Sequence, residues 1–119
     1  MHFLDLVYLD ENYVAVGFGD VLHDVLRTFS DQARQNLRTI QTAYRTSDLI
    51  AVSETAHTLK GSAGSVGALR LAAVAEALEK SAANGDVATT TQLTKELAPL
   101  IAGTLNEVAL ILGNPQGRS

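Results

Sequence analysis

The chain has 119 residues, enough for one domain around a single hydrophobic core. Nine basic residues stand against thirteen acidic ones, a formal charge of −4, and the basic residues are scattered, which argues against a nucleic-acid partner. The absence of cysteine excludes a disulfide framework and thiol-based zinc or redox chemistry, and abundant alanine and leucine with two prolines, Pro99 and Pro115, favour an all-α fold.

The opening stretch, MHFLDLVYLDENYV, has acids where a secretory signal would have a basic start and an apolar middle. No apolar run approaches the roughly 20 residues of a membrane span. A cytoplasmic protein without membrane contact is the expectation. Periodicity is mixed from Leu4 to Val16, which predicts a short, irregular helix lying across the rest.

Four helical stripes follow. Leu22, Leu26, Phe29, Ala33, Leu37, Ile40 and Tyr44 step by three and four, predicting a helix from Asp20 to Arg45 with Asp20 capping its first turn. After the connector Thr46-Ser47-Asp48, the second stripe is Leu49, Val52, Ala56, Leu59, Ala63 and Val66. Leu71, Val74, Ala75, Leu78 and Ala82 form the third, which ends at Asn84-Gly85-Asp86, a stop-and-restart signal. The fourth takes in Leu93, Leu97, Leu100, Ile101, Leu105, Val108 and Leu112, with Pro99 expected to kink or divide it. Short connectors predict an antiparallel up-down four-helix bundle with an additional short N-terminal helix. Residues 1–113 make a single domain, and 114–119 a polar tail.

The second stripe carries AHTLKGSAGSVGA, which sets His57 and Lys60 among Gly61, Gly64 and Gly67. At about 100° per residue, the stripe covers an arc of roughly 100° and His57 lies roughly 130° from its centre, facing outward. Gly61 and Gly64 fall within roughly 40° of His57, and Lys60 lies between it and the core edge. Glycine costs a helix interior about 0.5–1 kcal/mol against alanine, so bare helix beside an exposed imidazole suggests room for a bulky partner. A solvated surface histidine and a helix broken at its glycines are the plainer alternatives. A metal site finds little support, because His2, His23 and His57 lie on separate segments without a paired ligand pattern.

The run His57-Thr58-Leu59-Lys60-Gly61-Ser62-Ala63, continuing to Val66-Gly67-Ala68, resembles the signature of histidine phosphotransfer (HPt) domains, the intermediate carriers of two-component phosphorelays. Phe29, Ser47-Asp48, Leu78-Glu79 and Gly85-Asp86 extend the resemblance over Leu9 to Leu112. It implies that His57 is the phosphoacceptor, taking a phosphoryl group from an aspartyl phosphate of a receiver domain through Nε2. Lys60 would stabilise the phosphate, Gly61 and Gly64 would give the partner access, and Glu79 would hold the Nδ1 proton and orient the imidazole. Thr58 and Ser65, with Arg70 more remotely, are candidates for receiver docking.

The partners implied are receiver domains of response regulators or hybrid kinases, which would bring their own Mg2+; this chain would bind no cofactor of its own. Neither a phosphate loop nor a nucleotide box of a histidine kinase is present in the sequence, so no autokinase activity from ATP is expected. A monomer is the simplest state. Two alternatives stay open: a non-phosphorylated adaptor that docks receivers or regulators, and the phosphoacceptor module of a chemotaxis-type histidine kinase.

Overall fold

The computed structural model describes residues 3–113. Helix α1 (Leu6–Leu9) runs into a single π-helical turn (Asp10–Val14), and α2 (Gly19–Arg45), α3 (Leu49–Ser65), α4 (Leu69–Ala83) and α5 (Val87–Gly113) follow. Each long helix packs on the next, and α5 returns to α2, which closes a four-helix ring 46 Å long and about half as wide. Connectors this short leave consecutive helices little choice but to run antiparallel. His2 and the tail 114–119 lie outside the described residues.

Three connectors use one device. After α3, Ala68 N–H reaches back to Ala63 O (2.9 Å) and Gly67 N–H to Gly64 O, with Gly67 at φ +72°. After α4 the same pair of bonds joins Asp86 to Ser81 and Gly85 to Ala82, with Gly85 also at φ +72°. After α2 it joins Asp48 to Ala43 and Ser47 to Tyr44, but here Ser47 holds the left-handed position at φ +58°. These are Schellman closures, which satisfy the last carbonyls of one helix and reverse the chain. Asp48 and Asp86 then cap the next helices, accepting from Ala51 N (3.0 Å) and Thr89 N (3.1 Å).

Two boundaries differ from the sequence-based expectation. Helix α2 begins at Gly19, with Phe18 at the cap position and no side-chain cap, so Asp20 does not cap. Phe18 N–H bonds back to Tyr13 O (2.6 Å), and this wide turn through Gly17 (φ +88°) starts the helix one residue early. Asp20 sits in the first turn, where its charge favours the helix dipole. Pro99 does not divide α5, which is one helix across it. The loss there is the one backbone donor that proline lacks.

The core is one cluster, with Leu26, Ile40, Val52, Leu59, Leu71, Leu78 and Leu97 fully enclosed. Helix α5 faces it with Thr90, Thr94, Leu97, Ile101, Thr104 and Val108, a stripe that is half hydroxyl-bearing. Thr104 Oγ1 donates to Leu100 O (2.8 Å), and Thr90 Oγ1 shares a hydrogen bond with Ser81 Oγ (2.9 Å), so their polar atoms are satisfied inside. By length and composition α5 could cross a membrane. Its apolar stripe is instead packed on the other helices, and Lys95, Glu96 and Glu107 lie along it.

The N-terminal segment is a strap across one end of the bundle, in line with the irregular helix expected there. The backbone N–H groups of Phe3 and Leu4 donate to the Glu107 carboxylate (2.8 and 3.1 Å), and Asp5 N–H donates to Gly67 O (2.8 Å). Arg70 stacks over the Phe3 ring at 4.8 Å. A Cβ at Gly103 would stand 2.5 Å from that ring, so glycine in α5 leaves the slot in which Phe3 lies. Gly67 is doubly constrained, by its positive φ and by Asp5 and Tyr8 atoms 3.2 Å from where a Cβ would be.

Substitutions at two of the left-handed positions that close helices should therefore have opposite signs. Ser47→Gly should stabilise the protein by about 0.5–1 kcal/mol, because it relieves a left-handed non-glycine residue. Gly67→Ala should destabilise it by about 1 kcal/mol or more. Urea denaturation of both variants reads this directly, and a shift of the same sign in both would refute the assignment.

Candidate functional site

His57 sits in the middle of α3, on the side away from the core, with its side chain 66% exposed. Val52, Ala56, Leu59 and Ala63 of the same helix are buried, so the amphipathic stripe turns the imidazole outward. The helix is continuous past Gly61 and Gly64 and stops only at Val66-Gly67, so the glycines do not break it. A Cβ at Gly61 or Gly64 would meet nothing within 4 Å. Internal packing therefore gives no reason for either glycine, and the surface beside the histidine is open.

Helix α4 brings Glu79 to this face, and its carboxylate is shared. Oε2 lies 2.9 Å from His57 Nδ1, and Oε1 lies 3.1 Å from Lys60 Nζ. Glu79 is the less exposed partner, at 26% against 34% for Lys60. The Lys60 hydrogen bond is the largest influence on Glu79, followed among the favourable ones by the His57 bond, and together they hold its carboxyl below the usual range despite partial burial. It is therefore a carboxylate near neutral pH and can only accept. Nδ1 must then carry the proton, which leaves Nε2 as the lone-pair nitrogen of the neutral ring.

One further contact fixes this geometry. Ser53, one turn before His57 on α3, donates from Oγ to the backbone carbonyl of Glu79 (3.0 Å). It pins α4 against α3 at the level of the carboxylate. Sequence reasoning missed Ser53 because its partner is a backbone atom, which leaves no trace in residue type.

The remaining candidates divide. Thr58 and Ser65 are exposed on α3, with their hydroxyls turned back to Glu54 O (3.3 Å) and Ser62 O (2.7 Å). Ser65 borders a shallow groove of about 260 Å³ between α2 and α3, lined also by Val21, Val25, Phe29 and Ser62. Arg70 is engaged elsewhere, its guanidinium stacked on Phe3 in the strap. Among the described residues, no three of His, Asp and Glu converge in a manner that could hold a metal ion.

The family profile of the Hpt domain matches residues 24–107, well over half of the chain. The chain therefore belongs to the Hpt domain family, whose members act in histidine phosphotransfer. That match is narrower at both ends than the Leu9–Leu112 resemblance and leaves the strap outside it. No curated protein and no solved structure matches the chain.

Two outcomes follow from this geometry. Gly61→Ala and Gly64→Ala should each stabilise the fold by about 0.5–1 kcal/mol, since both glycines sit in a helix with space for a methyl; unaltered denaturation midpoints would show that the helix is not intact there. The Glu79 carboxyl should titrate below 4.5 by carbon NMR, and Lys60→Ala should raise its midpoint. Because the folded value is depressed, the stabilisation is present above the ordinary carboxylate range and is lost as pH falls through the lowered value. A midpoint unaffected by Lys60→Ala would refute the shared carboxylate.

Proposed function

We propose that this protein is a phosphorelay carrier in which His57 takes a phosphoryl group from a receiver aspartate and passes it to another. The observation that carries this reading is the exposed imidazole whose Nδ1 lies 2.9 Å from the Glu79 carboxylate, which leaves Nε2 as the nucleophile. Phosphoryl transfer depends mainly on positioning and charge stabilisation, so a carrier needs little equipment of its own. Lys60 supplies positive charge beside the ring, and Gly61 and Gly64 leave room for the receiver. The receiver brings the acidic pocket and Mg2+.

In this reading Thr58, Ser65 and the α2–α3 groove serve as docking surface for the receiver. Phe18 and Val21, both about half exposed, add apolar area near the start of α2. A monomer acting in the cytoplasm completes the proposal. The adaptor alternative gives no use to the His57–Glu79–Lys60 arrangement, and a chemotaxis-type module would differ in its donor rather than in its acceptor.

The test is phosphoryl transfer from a panel of phosphorylated receiver domains with Mg2+. Wild type should take the label and His57→Gln should not, with both proteins equally helical because the side chain is exposed. Gly61→Gln should slow transfer tenfold or more by obstructing the approach. Lys60→Ala should slow transfer more than it weakens receiver binding, as measured beside the kinetics. Labelling from an ATP-bound kinase domain but from no receiver would favour the chemotaxis-type reading, and labelling of His57→Gln would move the acceptor elsewhere.

A further inference from the structure

In sequence the basic residues are scattered, but the fold gathers five of the nine along one edge of the bundle. Arg27, Arg34, Arg38 and Arg45 stand seven, four and seven residues apart on α2, which at about 100° per residue keeps them within roughly 40° of one another. All four are exposed, in a row roughly 27 Å long at 1.5 Å per residue. Arg27 and Arg34 border a groove of about 230 Å³ against α5, lined there by Leu105, Val108 and Leu112. Tyr44 meets Thr91 of α5 at 2.7 Å, and Lys95, one turn on from Thr91, is exposed on the same flank. Glu96 and Glu107 lie on the other flank of α5, where Glu96 borders a cavity with Val74 and Glu107 holds the strap.

We propose that this α2–α5 edge is a docking surface for an acidic amphipathic helix of a partner protein, separate from the surface that presents His57. The fold itself gives no reason for the arginine row. Like charges at i and i+4 weaken a helix, and Arg34 and Arg38 are such a pair in the middle of α2. Arg45, in the last turn, does gain from the helix dipole.

The guanidinium groups are available. Asp24 and Asp31 pair with Arg27 and Arg34 at 3.3 and 3.5 Å, yet both arginines keep more than half of their surface exposed. Arg38 has no ion pair and no side-chain hydrogen bond among the described residues. Arg45 has a long hydrogen bond to Thr42 Oγ1, at 3.5 Å. A planar guanidinium presents a fork of donors that matches a carboxylate.

A protein helix fits this edge better than a phosphate polymer or a bilayer does. Asp24 and Asp31 stand beside the row and would oppose a continuous line of phosphates, and the net charge of −4 repels a polyanion at a distance. A helix can place separate carboxylates opposite the arginines at the matching spacing and lay apolar side chains on the groove. Val25, in the α2–α3 groove, lies roughly 160° from Arg27 around α2, and His57 stands at the α3–α4 edge across the ring. A partner tethered at the arginine row therefore leaves the imidazole open.

The experiment titrates the full chain, labelled with nitrogen-15, with a synthetic peptide of about 20 residues, enough to span the row. The peptide carries glutamates at the seven-four-seven spacing and leucines on the adjoining flank, and a scrambled peptide of the same composition is the control. Amide shifts should concentrate in 27–45 and 105–112 and spare 53–61. The Kd should lie below about 1 mM and rise with salt, a reading that needs no variant. Arg34→Glu with Arg38→Glu should weaken binding tenfold or more, and Arg34→Gln with Arg38→Gln should weaken it several-fold. No binding at ~1 mM, shifts centred on α3, equal binding of the scrambled peptide, or an affinity that both double variants leave unchanged would each overturn the inference. So would tighter, Arg38-dependent binding to phosphatidylglycerol vesicles or duplex RNA, which would assign the edge to phosphate instead.

Discussion

The packing of α3 on α4 is the constraint from which the site follows. Ala56 and Ala63 of α3 and Ala75 and Ala82 of α4 are all buried, as are Leu59, Leu71 and Leu78. Small side chains let helix backbones approach closely, and here a serine hydroxyl of α3 reaches a main-chain carbonyl of α4. At that separation a glutamate on α4 spans the gap to a histidine and a lysine on α3. Widening the pair by a larger core residue would withdraw the carboxylate from both. The proton on Nδ1, and with it the availability of Nε2, is thus set by buried alanines that never touch the partner.

The strap and the three chain reversals serve the same end. Gly67 closes α3, accepts Asp5 N–H on its carbonyl and leaves room for Tyr8, so the end of the histidine helix is fastened to the N-terminal segment and, through Phe3 and Leu4, to Glu107 of α5. Helix α3 is held along its length by the core and at its C-terminal end by the strap. Gly61 and Gly64, which would weaken an isolated helix, lie within that supported stretch. Their lost helix propensity is offset by tertiary packing, which is the usual source of helix stability in a folded domain.

Much of this was legible in the sequence. The four stripes located the long helices because apolar residues at steps of three and four must share a face, and the same arithmetic placed His57 outward and Lys60 at the core edge. The turns at Ser47-Asp48 and Gly85-Asp86 were readable from residue type. The α5 stripe was only half read: Thr90 and Thr104 are buried with their hydroxyls bonded to Ser81 Oγ and Leu100 O, and Thr94 is buried between them, while Leu93, Leu100 and Leu105 lie at the margin of the core. The Asp20 cap was misplaced because backbone hydrogen bonds through Gly17 decided the helix start. The strap left one trace, Gly103 within a helix, but its partner Phe3 lies a hundred residues away and no local pattern connects them. Glu79 was placed by resemblance, whereas its simultaneous hold on Lys60 and the Ser53 anchor depend on how two helices register against each other.

The central claim is that Glu79 occupies Nδ1 of His57 and so leaves Nε2 as the atom that accepts the phosphoryl group. The most direct measurement is phosphorus and nitrogen-15 NMR of the protein phosphorylated by a receiver domain, assigning the N–P bond to one ring nitrogen. The account predicts a single phosphoryl group on Nε2 of His57, labile in acid and stable in alkali. A bond to Nδ1, or a phosphoryl group on any other residue, would contradict it.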